Sequence, residues 1–157
     1  MYKILWLGIS LGIIIIDQAT KIWAADNLNF AQPVMLTTFL NFTLLHNTGA
    51  AFSFLADAGG WQRWFFIGLA AIISIGLFIW LLRLKSQYVW LGIALAFILG
   101  GAVGNLIDRT SYGYVIDFID IYYQDWHWPA FNVADSAISI GVFMILIDGL
   151  FSTEKRP

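Results

Sequence analysis

From Trp64 to Leu82, and again from Ser86 to Ile107, the chain carries no charged residue. Each stretch is long enough to cross a bilayer, because about 20 apolar residues at about 1.5 Å per residue cover the roughly 30 Å of hydrocarbon. Two further runs, about 4–25 and 132–151, reach that length only by admitting acids. In lipid such a segment satisfies its own backbone only as a helix. The chain is therefore predicted to be a membrane protein, mainly α, built as a four-transmembrane-helix bundle from spans at about 4–25, 63–82, 86–107 and 132–151. Its 157 residues are 60% hydrophobic and 11% charged, where soluble domains carry about 25% charged residues. We read 1–157 as one integral membrane domain. Lys3 followed by the apolar run Ile4 to Ile16 has the look of a secretory leader, but Asp17 and Lys21 follow at once. Trp23-Ala24-Ala25 is not a small-x-small cleavage site, so the run is expected to stay as the first span.

Several chemistries are excluded early. A net charge of −2 leaves no basic patch for phosphate neutralisation, so no nucleic acid partner is expected. Without cysteine there is no disulfide, thiolate nucleophile or Cys-ligated metal. His46 and His127 are the two imidazoles, far apart in sequence and without a neighbour at ligand spacing. No metal site is expected, and no cofactor.

The connection Arg83-Leu84-Lys85 is basic, as are Lys3 and Lys155-Arg156. By the positive-inside rule these five charges mark the cytoplasmic side, with Lys21, Arg63 and Arg109 opposite. Both termini then lie inside, and the long connections, about 26–62 and 108–131, lie outside. Residues 34–45 and 114–123 are rich in β-branched and aromatic residues with partial alternation, which predicts strands. The turn signal Asn47-Thr48-Gly49 closes the first stretch. Exposed strand edges cannot sit in lipid, so a small sheet on the outer surface is expected. Trp61, Trp64, Trp126 and Trp128 would form an aromatic belt beside it.

Eight of the ten carboxylates, Asp17, Asp26, Asp57, Asp108, Asp117, Asp120, Asp125 and Asp135, fall on the outer side of this arrangement. An ionisable residue within a span costs about 2.5–3.5 kcal/mol at the helix centre and marks a candidate site. Asn105, Asp108 and Arg109 share one helix face, as do Asn132, Asp135 and Ser139. Structural readings stand beside the functional one. Asp17 and Lys21, at i, i+4, can form a simple ion pair; Asp135 can serve as the acidic residue of a helix start; Asp108 and Arg109 suit a helix end. Asp120 and Asp125 read as solvated loop acids, Asp148 and Glu154 as interfacial ones, and the two histidines as loop residues. Gly100-Gly101-Ala102-Val103-Gly104 favours close helix packing, and a glycine face can also admit a substrate backbone. Against a purely structural reading stands the sum of acids, amides and a guanidinium at one depth. Two close carboxylates cannot both ionise cheaply, so one keeps a proton and the other can activate water, as in aspartic proteases. Position and residue type do not say which acids pair.

Four blocks carry a resemblance: Asp17-Gln18-Ala19-Thr20-Lys21; His46-Asn47-Thr48-Gly49-Ala50-Ala51-Phe52-Ser53; GGAVGNLIDR at 100–109 continuing to Gly113-Tyr114-Val115-Ile116-Asp117-Phe118; and Phe131-Asn132-Val133-Ala134-Asp135-Ser136. In order and content they resemble lipoprotein signal peptidase, or signal peptidase II. The resemblance implies a bacterial inner-membrane aspartic endopeptidase that removes the signal peptide from prolipoproteins just before a diacylglyceryl-modified cysteine. By motif position it makes Asp117 and Asp135 the catalytic dyad. Asp17, Asn47, Gly101, Asn105, Arg109 and Asn132 would support the site or hold substrate, and a β-cradle would cover the outer face. The expected partners are lipid-modified prolipoproteins and membrane lipid, with the enzyme a monomer. A small proton or cation pathway is the alternative that intramembrane acids also suit.

Overall fold

The computed structural model describes residues 2–49 and 60–151. Asp57, Glu154, Lys155, Arg156 and the segment Ala50 to Ser53 of the second motif block lie outside the described residues. In chain order the elements are α1 (Tyr2–Asn27), β1 (Val34–Thr37), β2 (Leu40–Asn47), α2 (Trp61–Arg83), α3 (Val89–Ser111), β3 (Val115–Tyr123), β4 (Trp126–His127) and α4 (Val133–Phe151). All four helices are long and apolar enough to cross a membrane. Large apolar side chains such as Ile4, Leu11, Ile15, Ile72, Phe143 and Leu146 are exposed along them, as a lipid-facing bundle requires.

The α3 helix is the axis of the bundle, in contact with each of the other three, and glycine makes the close approaches possible. A Cβ on Gly100 would meet the Ser10 carbonyl oxygen and Ile13 of α1 at 2.9 Å, and one on Gly141 of α4 would meet the Ala94 carbonyl oxygen at 2.6 Å. Removing side chains at such points lets backbones gain van der Waals contact that lipid cannot supply. Away from the sheet the core is apolar: Trp6, Leu81, Leu91, Leu95 and Leu99 pack together, buried. The α2 helix ends where Arg83 meets the negative end of its dipole and Leu84 turns extended.

At the other end lies one antiparallel sheet of order β1-β2-β3-β4. The stretch expected as a strand at 34–45 is folded into a hairpin at residues 38–39, and its second arm continues to Asn47. A register shift between Phe42 and Leu45 adds one residue to β2, a bulge that twists the strand. Gly113, at φ 86°, makes the left-handed turn from α3 into β3 that few other residues adopt. Phe131 then closes the fold. Its N–H donates to the Ile119 carbonyl at 3.0 Å, and its own carbonyl accepts from Phe118 and Ile119 at 3.1 and 2.9 Å. That bridge ties the start of α4 to the middle of β3. The four expected tryptophans are all exposed: Trp61 and Trp64 in the first turn of α2, Trp126 on β4 and Trp128 just after it.

Candidate active site

Asp117 is buried in β3 and Asp135 stands in the first turn of α4. The Phe131 bridge brings the two elements together, and Asn132 joins their carboxylates. The Asn132 side chain caps α4: its Oδ1 accepts the Asp135 N–H at 2.9 Å, while the Asn132 N–H donates to Asp135 Oδ2 at 3.3 Å. This reciprocal capping box satisfies helix-start donors that would otherwise be orphaned. Its amide nitrogen donates to Asp117 Oδ1 at 2.7 Å. Asn47, at the end of β2, donates to the other Asp117 oxygen at 3.1 Å, and Asn105 of α3 donates to Asp135 Oδ1 at 2.8 Å. Each carboxylate therefore meets two asparagines, and the site holds them by neutral donors rather than by a cation.

The cation sits one layer back. Lys21 is 1% exposed and its ammonium makes three contacts: Asp17 Oδ2 at 2.9 Å, Asp108 Oδ2 at 2.8 Å and Asn105 Oδ1 at 2.9 Å. Three donors meet three acceptors, which is the condition under which a buried ion is tolerated. The same two carboxylates take further donors. Asp17 Oδ1 accepts the Ala134 N–H at 2.9 Å, Asp108 Oδ1 accepts from Gln18 at 2.9 Å, and Asp108 Oδ2 accepts the Ile116 N–H at 3.1 Å. One polar network thus fixes α1, α3, the start of β3 and the start of α4 around the two acids.

The expected ion pair of Asp17 with Lys21 is present, but it is half of a three-way cluster with Asp108. Arg109 lies with Asn105 on the cavity beside Asp135, where it donates to the Gly49 carbonyl at 3.1 Å and lies over the Phe66 ring at 5.5 Å. At Gly101 a Cβ would run into the Ala134 carbonyl and come within 2.8 Å of Ile138. Of the two readings of the glycine run, close packing of α3 on α4 is the one this geometry carries. Asp120, expected as a solvated loop acid, is buried in the sheet and accepts from Asn41, Thr43 and His127. Both histidines lie in strands; His46 stacks on Tyr114 at 4.0 Å between ring centres. Sequence reasoning overlooked Gln18 and the central place of Lys21, although both belong to its first motif block.

Burial, and after it the charge of Asp135, push the Asp117 carboxyl up to about 7; hydrogen bonds from Asn47 and Asn132 and the charge of Lys21 oppose the rise. Near neutral pH this acid is poised to carry a proton. Two cavities meet here. One, of about 650 Å³, lies beside Asp135, Asn105 and Arg109 and runs along Ile138 and Ile140 of α4; the other, of about 700 Å³, lies over the sheet beside Asp117. Asn47 and the segment Trp128-Pro129-Ala130 border both. An extended chain crossing from one cavity to the other passes the two carboxylates.

Comparison with known proteins gives a consistent result. The family model described as signal peptidase (SPase) II matches residues 9–151. The lipoprotein signal peptidase of Acinetobacter baumannii is 56% identical over 99% of this chain and 89% of its own length. That of Acinetobacter baylyi is 57% identical over 99% and 87%, and that of Pseudoalteromonas atlantica 51% over 93% and 88%. Among solved structures, a bacterial membrane enzyme determined by the in meso method superposes with a TM-score of 0.83 at 31% identity, covering 98% of this chain and 94% of that one.

Proposed function

The chain belongs to the signal peptidase II family, and from that premise we propose that it is an aspartic endopeptidase whose dyad is Asp117 and Asp135. It cuts prolipoproteins immediately before the diacylglyceryl-modified cysteine. The observation that carries this reading is the joining of two acids from separate elements through Asn132 and Asn105. Asp117 is the proton-bearing partner. It donates to the scissile carbonyl while Asp135 takes a proton from the attacking water. The tetrahedral intermediate then collapses: Asp135 passes its proton to the leaving amine of the cysteine, the C–N bond breaks, and the hydroxyl proton returns to Asp117 as the new carboxyl group forms. Asn47, Asn105 and Asn132 orient the acids, Asp17 holds the start of α4, Gly101 seats it, and Arg109 fixes Gly49 beside the cavity.

The enzyme is a single membrane domain, acting as a monomer in the bacterial inner membrane with both termini cytoplasmic and the sheet periplasmic. The apolar signal segment enters from lipid, and the substrate's acyl chains stay in the outer leaflet. The rival reading, an ion pathway, finds less support: beyond the Lys21 cluster the bundle core is the apolar group around Trp6, Leu81 and Leu95. Purified protein is expected to cleave a diacylglyceryl-modified precursor and spare the unmodified one. Asp117→Asn and Asp135→Asn should each lower kcat/KM by at least about 10²- to 10⁴-fold, the range of acid–base catalysis, while each variant keeps a cooperative unfolding transition. Appreciable turnover in either variant would remove that residue from the dyad.

A further inference from the structure

The sheet-side cavity has a chemical character of its own. Its lining includes Asp117, Asp120, Thr43, His46 and His127, with no Lys or Arg among the described residues. Asp120 is 6% exposed, and its partners fix it firmly: Asn41 and Thr43 donate to Oδ2 at 3.2 Å each, and His127 Nδ1 lies 2.8 Å from Oδ1. The proposed hydrolysis uses none of these bonds. Neither Asn41 nor Thr43 brings a charge and His127 is charged only when protonated, so among the described residues no permanent cation meets the Asp120 carboxylate, which stands with Asp117 at the wall of the cavity. A charge held by protein dipoles at a low-dielectric wall acts on a neighbouring charge more strongly than it would in water.

The two cavities also differ in what they can accept. The one beside Asp135 runs along Ile138 and Ile140 of a lipid-exposed helix, which suits the apolar residues that precede the cut. The one over the sheet leads away from the helices, which suits the polar chain that follows it. We propose that the sheet-side cavity receives the second and third residues of the mature chain, and that Asp120 makes it a charge filter, favouring neutral or cationic side chains there over acidic ones. Asn41, Thr43 and His127 act as positioning residues for that carboxylate. The inference rests on the peptidase reading given above and extends it to substrate choice.

The test uses the full-length protein in detergent or lipid and three diacylglyceryl-modified precursors, identical except for Ser-Ser, Lys-Lys or Glu-Glu at mature residues two and three. Wild-type kcat/KM should be roughly tenfold lower for the Glu precursor than for the other two, about 1.4 kcal/mol. Asp120→Asn, which keeps the shape of the side chain, should bring the three within about threefold of each other. His127→Lys, at a half-exposed position, sets a permanent cation on Asp120 and should narrow the gap without touching the carboxylate itself. Equal cleavage of all three precursors by the wild type would overturn the filter and leave the peptidase reading standing, as would a Glu penalty that survives in both variants. Failure of the wild type to cleave any of the three would overturn both.

Discussion

Asp117 links stability to chemistry through one proton. Its ordinary value of 3.8 is raised to about 7 by burial first and by Asp135 second, so between those values the folded chain holds a proton that the unfolded chain releases. Stability from this group is therefore present below about pH 4 and is lost as pH rises through about 7. In the proposed mechanism this is the proton the two acids share, and it is lost over the same upper range. We expect kcat/KM to fall above about pH 7, and Tm to fall from pH 5 to pH 8 by an amount that Asp117→Asn largely removes. A Tm difference between those two pH values that is the same in both proteins would contradict the assignment. At this scale the sequence was partly legible. Helical spacing alone brings Asp17 and Lys21 together, but the third partner, Asp108, comes from another helix, and no local pattern encodes which faces of α1 and α3 meet. Asp120 reads as a loop acid because its burial depends on β2 laying Asn41 and Thr43 beside it. Helical spacing does place Arg109 beside Asn105 at the cavity, but its partners there, the Gly49 carbonyl and the Phe66 ring, come from other segments and have no local signature.

Helices and strands were more legible than their junctions. Four uncharged or nearly uncharged runs give four helices because lipid leaves the backbone no other solution, and β-branched and aromatic alternation marks the sheet. The hairpin at residues 38–39 lacks a Gly or Asn signal, so residues 34–45 read as one strand. The bridge from Phe131 to Ile119, which sets Asp135 beside Asp117, has no signature in either segment. Packing of α4 on α3 controls that geometry and can be tested separately from the chemistry. Gly101→Ala would push the Ala134 carbonyl and Ile138 away, an overpacking cost of about 1–3 kcal/mol, and would displace the start of α4 together with Asp135. The expected result is a lowered Tm and a loss of kcat/KM larger than that of Gly8→Ala, where a Cβ meets nothing within 4 Å and both quantities should be nearly unchanged. Wild-type activity and Tm in Gly101→Ala would mean that α4 has slack at this contact.

For the whole molecule, the arrangement of charge decides which way the bundle faces. At the end remote from the sheet, Lys3 near the start of α1, Arg83 at the end of α2 and Lys85 in the short connection lie at helix boundaries, where topogenic charges count. At the sheet end Lys21 is enclosed by Asp17 and Asp108, and Arg109 is turned onto Gly49. In the finished fold, then, two of the three cations counted on that side belong to the interior rather than to a loop, and the asymmetry is sharper than the sequence count suggests. The sheet adds a second constraint, because its edge strand β1 and the β3–β4 turn need water or headgroups for their unpaired backbone groups. In the proposed orientation, which both arguments favour, Gln124 and Asp125, in the β3–β4 turn, lie on the periplasmic side and Ser86 on the cytoplasmic side. The chain contains no cysteine, so single-cysteine variants need no background removed. In intact cells a membrane-impermeant maleimide should label Asp125→Cys and spare Ser86→Cys, with the second labelled only after the inner membrane is opened. The reverse pattern would place the dyad on the cytoplasmic side, where the lipid-modified precursor could not present its cysteine from the outer leaflet.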